Sequence, residues 1–169
     1  MSPEIAFQFE ANCERFAVAL LIAAGAGDAT TVRRRLDSAD FATDAEGVEL
    51  ARIAVEASPF VRASGQMCFT AQGIPFYNHF RGQLAFELTT PRAGGSARHH
   101  AWIGLVRRLF NDAAVPDFGP YCLLEIEESA GTITFVKDGE RDRSSLVYTL
   151  QLTIPDRLVD YAETSPVPA

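Results

Sequence analysis

Cysteine is scarce in this chain, and what there is follows no pattern: Cys13, Cys68 and Cys122 are three in number, far apart, and form no C-x-x-C spacing. Such a set builds neither a disulfide framework nor a thiolate metal site, and reads as reduced thiols in a protein made in a cytoplasm. Long apolar runs are missing as well. The longest, Phe16 to Ala26, falls far short of the ~20 residues needed to span a bilayer. The start carries Glu4, Glu10 and Glu14 and no basic region, so no signal peptide and no membrane partner are expected. Net positive charge is lacking too. The balance is −7, with a pI near 4.9, which argues against general nucleic-acid binding, because that requires a basic face to neutralise phosphates.

What is present is an ordinary globular composition, 47% hydrophobic and 22% charged over 169 residues. A chain of that size buries roughly 70% of the surface its unfolded form exposes, so it folds without a staple. The expected organisation is one α+β domain over residues 1–160, an arm or long hairpin at 58–79, and a flexible tail at 161–169.

The first helix follows from Ser2 as a cap, Pro3 at the first helical position, and Ile5, Phe9, Cys13, Phe16 and Leu20 at steps of three and four. Gly25 and Gly27 stop it. Thr30 to Leu36 reads as a strand or a short helix. Leu50 to Ala57 reads as a strand, with helix as the alternative. Phe80 to Thr90 alternates strictly, with Phe80, Gly82, Leu84, Phe86 and Leu88 on one face. A second helix runs from a Ser96 cap to about Ala114, with Trp102, Leu105, Val106, Leu109, Phe110 and Ala113 as its apolar stripe. Tyr121 to Glu127 places Cys122, Leu124 and Ile126 on one strand face. A hairpin turn at 129–132 leads to Ile133 to Val136, and a charged turn spans Lys137 to Arg143. Leu146, Tyr148, Leu150, Leu152 and Ile154 then alternate again. Packing the apolar stripe of the helix on the apolar face of the sheet gives a two-layer sandwich: a mostly antiparallel sheet of four to five strands with two main helices. Leu84, Phe86, Trp102, Leu105, Val106, Leu109, Leu150 and Leu152 are its expected core.

No group of residues carries a recognisable chemistry. Adjacent His99 and His100 point about 100° apart on a helix and do not ligate one metal comfortably; solvated or interface positions are expected for them. There is no H-E-x-x-H, no G-x-S-x-G and no phosphate loop. Glu125 and Glu127 share a strand face, and a solvated surface accounts for them. Arg33, Arg34 and Arg35 form the one basic cluster, read as a salt-bridging surface, with a contact for nucleic acid or for an acidic partner surface as the alternatives. The stretch from Ser58 to Asn78 holds Phe60, Met67, Phe69, Ile74, Phe76 and Tyr77 without regular periodicity, and such residues are poorly placed in solvent. Part of it, Phe69 above all, is expected to contact a neighbour; the alternative is a β-hairpin folded back over its own domain.

The stretch from Tyr77 to Arg92, followed by Ala97 to Phe110, resembles the centre of the tail-terminator and tail-completion proteins of tailed bacteriophages. In that family an alternating strand leads through a polar loop into a helix, often with a histidine in its first turns and an arginine near its end before a leucine; the helical stretch here carries His99, His100, Arg107, Arg108 and Leu109. Leu50 to Ala57 resembles the strand that precedes the main hairpin. The resemblance implies a structural virion protein, a homohexameric ring at the head-proximal end of the tail tube. It would have the tube protein and a neck, connector or stopper protein as partners, DNA passing through its lumen, and no catalytic residues, cofactor or metal. Candidate interface residues are Phe60, Met67, Phe69, Phe76, Arg33, Arg34 and Arg35. The insertion at 30–47 and the arm at 58–78 depart from the family and leave other connector or minor tail roles open. From other classes, a small-molecule-binding or enzymatic domain would use Cys68, His79 and His99, and a regulatory adaptor would be monomeric or dimeric.

Overall fold

The computed structural model describes residues 7–37, 51–63, 67–69, 75–77, 79–92, 96–111, 117–129, 136–138 and 141–154. Helix α1 spans Phe9–Ala23. Phe7 and Gln8 are not helical, and Gln8 makes no side-chain cap bond, so the helix does not run on from the expected start; Ser2 and Pro3 lie outside the described residues. Phe9, Cys13, Ala17 and Leu21 recur at i+4 and are buried. The helix ends where Gly25 takes φ +86°. The Gly25 N–H donates to the Ile22 carbonyl and the Ala26 N–H to the Leu21 carbonyl, satisfying two of the orphan carbonyls of the last turn.

Strand β1 (Val32–Arg34) follows, then a single 3-10 turn at Arg35–Asp37. Strands β2 (Arg52–Ala57) and β3 (Val61–Arg62) lead to a short pair, β4 (Met67–Phe69) and β5 (Pro75–Tyr77). Then come β6 (His79–Pro91), helix α2 (Ala97–Asn111), β7 (Asp117–Phe118), β8 (Tyr121–Glu128), β9 (Val136–Asp138) and β10 (Arg141–Thr153).

The main sheet has the order β1-β2-β6-β10-β8-β7, with β3 paired to β6 and β9 to β10. Among the described residues only β1 with β2 is parallel. The four to five strands expected from the sequence correspond to its long members β2, β6, β10 and β8, and short strands bring it to eight among the described residues. Its axis is the pairing of β6 with β10 over thirteen residue pairs, Leu146 opposite Phe86 and Leu150 opposite Gly82.

One face carries the core. Leu84, Phe86 and Leu88 of β6 and Leu146, Tyr148, Leu150 and Leu152 of β10 are fully buried. Both helices cover this face in a single cluster. The rings of Phe86 and Phe110 lie 4.7 Å apart, and Phe9 sits 4.4 Å from Phe80 and 5.0 Å from Tyr121. The stripe of α2 is rotated from the expected one: His99, Trp102, Ile103, Val106 and Phe110 are buried, whereas Leu105 and Leu109 are half-buried at its margin. On β8 the expected face is also corrected. Glu125 pairs with Gln151 and Leu123 with Leu152, so Leu124 is an extra residue without a partner on β10. This bulge leaves Leu124 52% exposed, while Leu123 and Ile126 pack against the core.

Candidate functional site

The arm is the first candidate. Its backbone pairs as an antiparallel hairpin, Met67 with Tyr77, Cys68 with Phe76 and Phe69 with Pro75. Among the described residues this pair forms a sheet of its own, unbonded to the main sheet. The side chains of Met67, Cys68, Phe69 and Phe76 lie outside the described residues. Phe60 does not belong with them. It packs against its own domain, stacked 5.6 Å from Phe9. Its ring covers Gly82 so closely that a Cβ there would come within 2.5 Å of Phe60 Cδ2. The Phe60 N–H donates to Glu10 Oε1 at 2.7 Å. Phe60, three residues beyond β2, is thus half-buried against its own core.

The three arginines go three ways. Arg34 turns inward, its Nε 2.6 Å from Glu14 Oε2; it holds the fold together and is withdrawn as an interface candidate. Arg35 stays at the surface, bridging Glu56 and Glu87 at 3.2 and 3.3 Å. Arg33 is half-buried, with Nε donating to the Ala29 carbonyl at 2.8 Å.

Glu14 is a residue that reasoning from the sequence missed. Its carboxylate is buried, accepting from Arg34 on one oxygen and from the Ala57 N–H, at 3.0 Å, on the other. One turn earlier, Glu10 accepts from Phe60. Two acids at i and i+4 thus clasp α1 to the backbone around β2. The available signal was their spacing on the apolar side of the helix, next to Cys13 and Ala17. Burial, with Glu10 and Glu14 nearby, pushes the Cys13 thiol well up from its ordinary value, so this cysteine is inert as a nucleophile. Asn12 Nδ2 donates to the Tyr121 hydroxyl at 2.9 Å, and burial pushes that phenol up to about 12.

His99 was also misplaced by the sequence reading: it is buried, not solvated, whereas His100 beside it is exposed. Thr90 Oγ1 lies 2.9 Å from its Nδ1 and Ser144 Oγ 2.7 Å from its Nε2. A serine hydroxyl against an imidazole has the reach of a nucleophile–base pair, but all three groups are buried, and Asp142 is engaged by Arg92 at 3.4 Å. The arrangement joins α2 to β6 and β10. His79 is far away. Its Nε2 lies 2.9 Å from Gln151 Oε1 at the start of β6, whereas Thr90, the partner of His99, is eleven residues further along the same strand, roughly 35 Å at ~3.3 Å per residue. His79 and His99 therefore line no common pocket. Among the described residues no group of three or more His, Cys, Asp or Glu is placed to hold a metal, and no helix is long and apolar enough to cross a membrane.

Burial lowers the pKa of His99 below its ordinary 6.5, partly offset by Asp142 and reinforced by His100. A depressed folded-state value means that the unfolded chain takes up the proton first, so stability is lost as pH falls below 6.5 and through the folded value. Thermal melts between about pH 7 and 5 are expected to show a falling Tm in the wild type and a shallower slope in His99→Gln; equal slopes would remove His99 from the acid sensitivity.

No protein-family model matches the chain, and no curated protein matches its sequence.

Proposed function

We propose that this chain is a structural virion protein, a tail-terminator or tail-completion subunit that forms a ring on the tail tube of a tailed bacteriophage and joins it to the neck. The observation that carries the reading is the β4–β5 arm. A hairpin with its own pairing, separate among the described residues from the main sheet, is suited to reach a neighbouring subunit or the tube. It stands on an α+β domain in which a strand, a long alternating strand and a helix follow the order that the resemblance of residues 50–57, 77–92 and 97–110 implies. The function is assembly, not catalysis, and the distance between His79 and His99 supports that. The acidic balance of −7 suits a lumen along which DNA slides without being held. The subunit is made in the host cytoplasm and ends in the tail–neck region of the virion. A stopper, connector or minor tail position would be recognised by which protein co-purifies, a portal-side ring or the tube.

Native mass spectrometry of the protein bound to tail tubes is expected to give a closed homo-oligomer, six copies in the simplest case. A lone copy in a complete tail would refute the reading. Deleting Gly65 to Gly73 is expected to abolish ring formation on tubes while the melting temperature of the remaining domain stays within a few degrees of wild type. Normal rings from this variant would tell against the arm.

A further inference from the structure

The two edges of the main sheet are built to different specifications. At one edge β1 pairs only with β2 among the described residues. Beside it, α1 and β1 enclose an open groove of about 380 Å³, floored by Val18, Ala19, Ile22 and Val32 and rimmed by Arg15, Arg33, Arg34 and one acid, Asp37, which Arg34 faces at 3.7 Å. Arg15 is exposed and has no ion pair among the described residues. At the opposite edge, among the described residues, β8 is covered only by the two-residue β7, paired at Tyr121 and Cys122. Here the bulge pushes out Leu124, 52% exposed. Beside it stand Glu125 and Glu127, both exposed and without ion pairs among the described residues. One edge is thus an apolar groove with a basic rim, and the other an apolar knob with acidic flanks.

We propose that these edges are partners: the β8 edge of one copy, with Leu124, Glu125 and Glu127, docks into the α1–β1 groove of the next, against Arg15 and Arg33. Ring formation is the function proposed above, and this contact rests on it by naming the surfaces that close the ring. The argument for a second copy as occupant is complementarity of both kinds within one chain, apolar to apolar and acid to base. Because the two surfaces lie at opposite edges of one sheet, the contact is head-to-tail, the kind that forms a ring when the rotation between successive copies closes. A net charge of −7 per copy makes copies repel at a distance, so local pairing of opposite charges selects this orientation over others.

The test uses the full chain and analytical ultracentrifugation across a concentration series. Arg15→Glu/Arg33→Glu makes both edges acidic, and Glu125→Arg/Glu127→Arg makes both basic. Each variant alone is expected to associate about 100-fold more weakly than wild type, since like charges then face each other. Mixed one to one they are expected to co-assemble in alternation, because each groove now finds an opposite knob. Circular dichroism checks the fold; if the change at half-buried Arg33 lowers the melting temperature, Arg15→Glu alone replaces it. Wild-type-like association of either variant overturns these surfaces and leaves the ring reading standing. Loss with the groove variant alone, with no restoration on mixing, assigns the groove a different occupant and overturns the contact. A wild type that stays monomeric overturns the contact, and if it also sits singly on tail tubes, the ring reading falls with it.

Discussion

Phe86→Ala is expected to destabilise the domain by about 3–5 kcal/mol, the cost of removing a fully buried aromatic and leaving a cavity. Phe86 sits at the middle of β6, opposite Leu146 on β10 and Val55 on β2. Its ring contacts Phe110 at 4.7 Å and Tyr148 at 5.9 Å, so both layers meet on it. Neighbouring strands are held by their own hydrogen bonds and cannot collapse into the space, which places the loss in the upper part of the range for core truncations. For a chain of this length the midpoint of thermal unfolding should fall by roughly 10 °C. Leu105→Ala, at the half-buried margin of α2, provides the contrast, with a loss below about 2 kcal/mol. Urea denaturation of both variants measures the difference. A Phe86→Ala protein within about 1 kcal/mol of wild type would show that the inner face of the sheet has been assigned wrongly.

The second large effect is expected at Glu14. Glu14→Ala removes the acceptor of both the Arg34 guanidinium and the Ala57 N–H. Breaking a buried ion pair by deleting one partner costs about 3–5 kcal/mol, because the other charge is left stranded. Arg34 retains Asp37 Oδ2 at 3.7 Å and is 14% exposed, so the loss is expected at the lower end, about 3 kcal/mol. Glu14→Gln keeps an oxygen for the Ala57 amide and should lose about half as much. The combination Glu14→Leu with Arg34→Met is the informative one. Replacing both charges with apolar groups of similar volume removes the desolvation cost along with the attraction, so the double variant is expected to be more stable than Glu14→Ala. Additive losses in this cycle would mean that the two residues do not interact energetically.

The long strands were legible in the sequence because their cause is local. From Phe80 to Leu88 in β6 and from Leu146 to Leu152 in β10 every second residue is apolar or glycine, the pattern of a half-buried strand; Leu84, Phe86, Leu150 and Leu152 lie where the alternation puts them. The stripe of α2 was legible only in part. Apolar residues occur around more than half of that helix, so periodicity alone leaves its rotation open. The structure resolves it through His99, whose ring is held by Thr90 and Ser144; Ile103 turns inward beside the expected Trp102, Val106 and Phe110, and Leu105 and Leu109 move to the margin. Thr30 to Leu36 was ambiguous because β-branched residues and a run of arginines suit a strand and a short turn equally; it contains one of each, β1 and the turn at Arg35–Asp37.

The candidate contacts were less legible than the elements. Phe60 is apolar whether it faces a partner or its own core, and only the approach of Phe9 and the missing Cβ of Gly82 decide between the two. Arg33, Arg34 and Arg35 are alike in sequence and differ in fate, because consecutive residues at a strand end point in different directions. The bulge at Leu124 leaves no mark in the pattern, since one extra residue reverses the alternation without changing composition.

By itself, then, the sequence determined the long alternating strands β6 and β10, that one face of the sheet is apolar, and that two helices are available to cover it. These follow from periodicity, which acts between neighbours along the chain. The tertiary structure alone decided that Glu14 meets Arg34, that His99 is buried between two hydroxyls, and that a basic groove and an acidic knob end up at opposite edges of one sheet. Glu14 and Arg34 are twenty residues apart, His99 and Ser144 forty-five. Contacts across such separations depend on strand order and register, which no local pattern encodes.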